Sequence, residues 1–285
     1  MANARPSYFH LHLVSDATGE TLTTIAKAAS VQYARVRPIE HIHPLVRTRR
    51  QLDRVLQEVA SAPGIVLYTL VNKELAEQLE RGCRELKVPC LHALHPIMKV
   101  FESYLGAPQT PIVAGQHVLD ADYFRRIDAL NFSMAHDDGR LPEDLNLADI
   151  IILGVSRTSK TPTSIYLAQR GLKTANVPVV PSLPLPKALI EPHTAFVVCL
   201  VASPERIAEI RRNRVRLMSD RNLDDYVDRH QIAQEVAYSR RLCAKHGWPT
   251  IDVTRRSIEE TAATILKLYH DRSEGLPEAV EGDDD

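Results

Sequence analysis

The residues best suited to chemistry form a short polar loop in the second half of the chain. An apolar run, DIIIL, ends just before Gly154, and Lys160 and Thr161 follow six and seven positions after that glycine. This spacing matches the phosphate-binding pattern G-x-x-x-x-G-K-[ST], with Ser159 in place of the second glycine. A loop between a strand and a helix points backbone N–H groups at one spot, and the helix N-terminus adds partial positive charge. The residues predicted to bind nucleotide phosphates are Gly154, Val155, Ser156, Arg157, Thr158, Ser159, Lys160 and Thr161.

Two residues of this loop have predicted chemical roles. Lys160 can reach a β- or γ-phosphate, and the hydroxyl of Thr161 is the predicted ligand of Mg²⁺. Ser159 departs from the pattern, because its Cβ makes a positive φ less accessible than it is to glycine. The alternative interpretation is a polar surface turn with an incidental lysine.

A phosphate-transfer site also needs a carboxylate, and the best candidates are Asp137 and Asp138 in the string HDDG. Two adjacent acids before a glycine suit a loop that approaches a metal ion. We predict that one of them orients or deprotonates the attacking group. The alternative is a helix C-terminal turn with solvated acids, since carboxylates are common in turns.

A third candidate is the basic segment PERIAEIRRNRVRLMSDR. Guanidinium groups suit the clamping of phosphate, as in the lid of a nucleotide kinase, although a solvated basic helix face would have the same composition. Its arginines are Arg206, Arg211, Arg212, Arg214, Arg216 and Arg221.

The first half contains a weaker candidate, VSDATGETL, where a predicted strand ends and a helix begins. It could bind an anion, or Asp16 and Thr18 could simply cap the helix. Histidine pairs at His10/His12 and His41/His43 could hold a metal ion, but alternation along a strand explains their spacing more simply. The four cysteines, at 83, 90, 199 and 243, form no CxxC pattern and fit a reducing cytoplasm.

Composition excludes several classes of protein. With 35 basic and 36 acidic residues among 285, the net charge of −1 gives no reason to expect nucleic acid or anionic lipid as a partner. No apolar run reaches the roughly 20 residues that span a bilayer, and the N-terminus does not resemble a signal peptide. We therefore expect a cytoplasmic enzyme, with a homodimer as the commonest assembly of such proteins.

Apolar runs alternate with helical patterns along the whole chain, which predicts an α/β fold with parallel sheets. We expect an N-terminal parallel-sheet α/β domain over residues 1–105 and a P-loop kinase-like nucleotide-binding α/β domain over residues 149–272. Residues 106–148 are predicted to connect them. Residues 273–285 form an acidic tail that lacks a core pattern and is predicted to be disordered.

Three strings together resemble a known family. They are SDATGET, RRIDALNFSMAHDDG and ILGVSRTSKTPTSIYLAQRG, and SPERIAEIRRNR and IDVTRRSIEETAATI extend the likeness. Together they resemble the bacterial pyruvate, phosphate dikinase regulatory proteins and the closely related phosphoenolpyruvate synthase regulatory proteins. The likeness runs from about residue 8 to residue 271, and a serine at position 159 is usual within it.

This resemblance implies a bifunctional enzyme with ADP and inorganic phosphate as substrates. Such proteins transfer the β-phosphate of ADP to a threonine of the target dikinase, which inactivates it. They remove that phosphate by attack of inorganic phosphate, which releases pyrophosphate. By this likeness residues 154–161 form the ADP site, and either dikinase or phosphoenolpyruvate synthase is the protein substrate. Two other hypotheses remain open: a small-molecule P-loop kinase of the shikimate or adenylate type, and a nucleotide-sensing binding module.

Overall fold

The computed structural model describes residues 7–110, 112, 113, 115, 120–140, 142–191, 193–218 and 228–274. The chain forms two compact units, Met1–Val118 and Leu119–Asp285. This division differs from the predicted domain bounds, which assigned residues 106–148 to a connection. Arg221 and residues 275–285 of the predicted acidic tail lie outside the described residues.

The first unit alternates strands and helices around one sheet. Its elements are β1 (Ser7–Ser15), α1 (Glu20–Ser30), β2 (Val36–His43), α2 (Arg49–Ser61), β3 (Gly64–Thr69), α3 (Lys73–Glu85), β4 (Cys90–His92) and α4 (His95–Leu105). All four strands are parallel, in the order β2-β1-β3-β4. The sequence predicted every element except α4, in which Pro96 occupies the first turn, where its missing N–H is not needed.

The second unit repeats this architecture. Its strands are β5 (Ile150–Gly154), β6 (Thr174–Pro178), β7 (Phe196–Val201) and β8 (Thr250–Asp252). Its helices are α5 (Ala121–Ala135), α6 (Lys160–Ala168), α7 (Lys187–Ile190), α8 (Pro204–Met218), α9 (Arg229–His246) and α10 (Ile258–Glu274), with 3-10 turns at Asp137–Gly139 and Pro142–Leu147. The strands are parallel in the order β6-β5-β7-β8, the same order as in the first unit. The predicted α/β fold with parallel sheets is thus confirmed.

The core of the second unit lies on both faces of its sheet. Ile151 and Leu153 of β5 pack in one buried cluster, and Ile150 and Ile152 pack in another on the opposite face. Burial of such a side chain contributes roughly 1.5–3 kcal/mol each. A strand buried on both faces must be continuously apolar, which explains why DIIIL shows no alternation.

Strand order places a crevice at the carboxyl end of β5. The chain leaves β5 toward β6 on one side, while β7 pairs with β5 on the other side. In open parallel sheets, ligands bind outside the carboxyl ends of the strands where the winding direction changes. The loop between β5 and α6 begins at this point.

Candidate functional site

The loop of residues 155–159 joins β5 to α6 in a tight, partly left-handed path. Gly154, Arg157 and Ser159 have φ values of 153°, 74° and 62°. A Cβ on Gly154 would lie 2.5 Å from the carbonyl oxygen of Leu200 in β7, so only glycine fits there. Ser159 precedes α6 in a left-handed conformation that L-residues seldom adopt. It is the position at which the phosphate-binding pattern has its second glycine.

Lys160 is buried at the start of α6, with 6% of its surface exposed. Its Nζ donates a hydrogen bond to the carbonyl oxygen of Val155 at 3.2 Å, so the ammonium group lies within the loop rather than in solvent. Burial lowers the pKa of Lys160 to about 8, and the nearby charges of Asp138 and Asp137 only partly oppose this shift. A buried ammonium group of this kind has a strong electrostatic preference for an anionic ligand.

Thr161 and Asp137 meet across the start of α6. The Thr161 hydroxyl donates to Oδ1 of Asp137 at 2.8 Å, and Nδ2 of Asn176 in β6 donates to both side chains. The backbone N–H of Asn176 also donates to the carbonyl oxygen of His136 at 3.1 Å. Strand β6 therefore fastens the HDDG turn beside the first turn of α6, and the two predicted functional segments are brought together.

Asp138 differs from its neighbour in exposure and backbone conformation. Its side chain is exposed, whereas that of Asp137 is half-buried. Its φ is 58°, and Gly139 follows with a φ of 77°. A non-glycine residue in the left-handed region is strained, and such strain is common where a functional side chain must be aimed. Asp138 is thus the carboxylate of this turn that an incoming substrate can reach.

Arg211 of α8 contacts the β5–α6 loop. It is almost fully buried, forms an ion pair with Glu235 of α9 at 2.6 Å, and donates to the carbonyl oxygen of Ser156 at 3.3 Å. An ion pair with little solvent screening holds its geometry firmly. Of the predicted arginine cluster, Arg211 therefore anchors the loop, while Arg212 and Arg214 are exposed. The side chain of Arg216 lies outside the described part of the chain.

The donor set at Thr161 fits a nucleotide-bound Mg²⁺ better than a dedicated metal cage. Among the described residues, no group of three or more His, Cys, Asp or Glu side chains could hold a metal ion. Mg²⁺ commonly takes one or two carboxylates, the remaining ligands being water and substrate phosphates. The Thr161 hydroxyl and the Asp137 carboxylate supply such a partial set.

Sequence reasoning missed two residues that position the candidate site. Asn176 was not selected, because the strand was predicted over residues 177–181 and actually spans Thr174–Pro178. Glu235 lies 24 positions from Arg211, and nothing local marks their pairing. An amide in a strand whose residues are mostly apolar was the available signal, since buried polar groups need partners.

The Asp16 segment and the histidine pairs lie in the first unit. The Asp16 carboxylate accepts a hydrogen bond from the backbone N–H of Val71 at 2.7 Å, whereas capping of α1 was one of the two interpretations of this segment. His10 and His41 bond to each other at 2.9 Å, and His12 bonds to His43 at 3.2 Å across neighbouring strands. All four cysteines are free thiols. No helix within the described ranges is long and apolar enough to cross a membrane.

Comparisons with known proteins cover nearly the whole chain. A family model described as kinase/pyrophosphorylase matches residues 11–266. A protein of Bradyrhizobium diazoefficiens is 57% identical over 272 residues, which are 95% of this chain and 98% of that protein. A protein of Chelativorans sp. is 58% identical over 262 residues (92% and 96%), and one of Rhizobium meliloti is 54% identical over 266 residues (93% and 97%). All three are named "Putative pyruvate, phosphate dikinase regulatory protein".

Proposed function

Because the chain belongs to the kinase/pyrophosphorylase family, we propose that it regulates pyruvate, phosphate dikinase by reversible phosphorylation of a threonine, with ADP as the donor. The observation that carries this proposal is the buried Lys160 ammonium inside the β5–α6 loop, beside the Thr161–Asp137 pair. Phosphoryl-transfer sites commonly contain a cation, backbone N–H groups and a carboxylate at one helix N-terminus.

In the kinase direction, the threonine hydroxyl of the protein substrate attacks the β-phosphorus of ADP. The bond between that phosphorus and the bridging oxygen breaks, and AMP leaves. Lys160 neutralises charge on the transferred phosphoryl group, and the loop N–H groups hold its oxygens. Asp138, which is exposed and follows Asp137 in the chain, accepts the proton of the threonine hydroxyl.

In the reverse direction, an oxygen of inorganic phosphate attacks the phosphorus of phosphothreonine. The P–O bond to threonine breaks, pyrophosphate forms, and the proton carried by the phosphate ends on the threonine oxygen. Asp138 relays this proton, so one carboxylate serves both directions. Bound Mg²⁺ supplies charge neutralisation and a template for the phosphates, and Thr161 and Asp137 are the side chains that would hold it.

The test uses the full-length chain with MgADP and purified pyruvate, phosphate dikinase. We expect AMP to accumulate in step with phosphothreonine on the dikinase, detected by mass spectrometry. Added phosphate should then remove the modification and release pyrophosphate in equal amount. Absence of phosphothreonine with ADP, on a dikinase that is otherwise active, would overturn the proposal.

Two parallel reactions separate the alternatives. The first reaction contains ATP instead of ADP, and candidate small metabolites instead of the dikinase. If the chain is a small-molecule kinase, a metabolite becomes phosphorylated and no protein is modified. Substituting phosphoenolpyruvate synthase tests the other protein substrate. Tight MgADP binding without turnover on either protein would instead support the nucleotide-sensing module.

A further inference from the structure

A basic cavity of about 310 Å³ adjoins the β5–α6 loop in the second unit. We name it the arginine cavity, because Arg157, Arg206, Arg255 and Arg256 line it. Its volume lies at the lower end of the range of about 300–1,000 Å³ that is typical of small-molecule sites. Three separate parts of the chain contribute these arginines: the loop, α8 and the segment between β8 and α10.

The described lining of the arginine cavity contains four guanidinium groups and no carboxylate. Two acids lie close in sequence to these arginines: Asp252 pairs with Arg240 at 3.4 Å, accepts two hydrogen bonds from Thr254 and also interacts with the charge of Arg256, and Glu260 accepts from the backbone N–H of Ser257. Glu209 forms an ion pair with Arg206 of the cavity at 3.0 Å, in an exposed contact of the kind that contributes little. The cavity therefore carries an excess of positive charge.

Guanidinium groups indicate the chemical class of the ligand. Their planar donors match the oxygens of phosphate, often two at a time, and their charge persists at every physiological pH. Ser159 also lines the cavity and adds a hydroxyl group, whereas the hydroxyl of Thr254 donates to Asp252. A doubly charged oxyanion of phosphate size fits this set better than a carboxylate or a neutral sugar.

The position of the cavity relates it to the proposed reaction. Arg157 and Ser159 belong both to the loop and to the cavity wall, so an anion in the cavity lies next to one held by the loop. Removal of phosphate from threonine by inorganic phosphate needs two phosphate groups side by side. The buried lysine of the loop carries one positive charge, so two adjacent phosphate groups would be stabilised by further cationic groups.

We propose that the arginine cavity is a second phosphate subsite, which holds the phosphate group that reacts with the one bound at Lys160. The ligand is inorganic phosphate itself or the phosphoryl group of the protein substrate. Because this inference rests on the proposed function, its test must separate loss of the cavity from loss of the nucleotide site.

The test measures three ligands by calorimetry on the full-length chain: MgADP, inorganic phosphate and a phosphothreonine peptide from the dikinase. The cavity variant is Arg206→Gln with Arg255→Gln, two exposed side chains whose loss should not unfold the protein. The control variant is Arg212→Gln with Arg214→Gln, which removes the same charge from exposed positions that do not line the cavity. Thermal unfolding verifies that both variants fold.

We expect the cavity variant to weaken phosphate or phosphopeptide binding at least about tenfold, since each charge-assisted hydrogen bond is a strong one. MgADP affinity should change less than about threefold, and the control variant should match the wild type for all three ligands. A loss confined to phosphate identifies inorganic phosphate as the ligand, and a loss confined to the peptide identifies the phosphoryl group.

Three outcomes would overturn the subsite. They are unchanged phosphate and peptide affinities in the cavity variant, an equal loss of MgADP affinity, and a wild-type chain that binds MgADP but neither other ligand. A wild-type chain that binds no MgADP contradicts the proposed function instead, so the two failures remain distinct.

Discussion

The Thr161 hydroxyl donates a hydrogen bond to the Asp137 carboxylate at 2.8 Å, although 24 positions separate these residues in the chain. Asn176 of β6 donates to both of them and thereby fixes their distance. This triad joins α6, the helix that follows the β5–α6 loop, to the turn that carries Asp137 and Asp138. In the proposed function, these oxygens would hold a nucleotide-bound Mg²⁺.

The first prediction concerns the Thr161–Asp137 pair. Asp137→Asn and Thr161→Val should each raise the Mg²⁺ concentration needed for half-maximal kinase activity, because each removes a hard oxygen ligand. The double variant should fall short of the sum of the single effects, with a coupling of about 0.5–3 kcal/mol, since the residues act as one unit. Mg²⁺ titrations of the four proteins measure this coupling. Strict additivity would contradict a shared role.

Asp138 carries the second prediction. Asp138→Asn should lower kcat in both directions by about 10²–10⁴-fold while MgADP affinity stays near that of the wild type, since the residue moves a proton and binds no phosphate. Steady-state kinetics and calorimetry on the same preparation separate the two effects. Undiminished activities in this variant would shift the proton transfer to Asp137 or to another group.

The third prediction is that substitution of Lys160 lowers activity without lowering stability. Lys160→Met keeps the length of the side chain but removes a charge whose burial is unfavourable, so the free energy of unfolding should equal or exceed that of the wild type. Both phosphate-transfer activities should fall at least about a hundredfold. Urea unfolding near pH 7 and activity assays provide the comparison. Normal kinase turnover in the variant would refute the role of the lysine.

The pH dependence of nucleotide binding supplies the fourth prediction. Burial lowers the pKa of Lys160 to about 8, below the ordinary value of about 10.4. Between these values the folded protein has lost a proton that the unfolded chain retains, so this residue makes stability rise with pH across that window. Binding of an anion needs the ammonium form, so MgADP affinity should fall as pH rises above about 8.

Calorimetry in buffers of different ionisation enthalpy should reveal proton uptake on MgADP binding above that pH. Lys160→Met serves as the control, because it has no proton to gain there. Proton uptake of equal size in the variant would assign the effect to another group.

The fifth prediction tests the glycine that begins the loop. Gly154→Ala places a Cβ against the backbone of Leu200, so it should reduce MgADP affinity and the free energy of unfolding together. Gly247→Ala is the matched control: its φ is also positive, at 69°, but a Cβ there has no neighbour within 4 Å. Chemical unfolding and calorimetry compare the variant with a collision to one that has a positive φ and no collision. Equal losses in the two variants would mean that the loop tolerates the Cβ.

Local pattern in the sequence was enough to predict most of the elements and the position of the loop between β5 and α6. A strand buried on both faces has to be continuously apolar, and the spacing from Gly154 to Lys160 lies within one contiguous turn, so neither needs distant information. The two aspartates of HDDG were also recognisable as candidates, because of their type and their position before a glycine.

Only the tertiary structure decided which of these groups meet. The contacts of Asp137 with Thr161, of Asn176 with both, and of Arg211 with Glu235 join residues 15–39 positions apart. Such contacts depend on which strand pairs with which, and strand order results from the packing of every helix against both faces of the sheet. The arginine cavity has the same origin, because its charges come from three segments that only the folded sheet brings together.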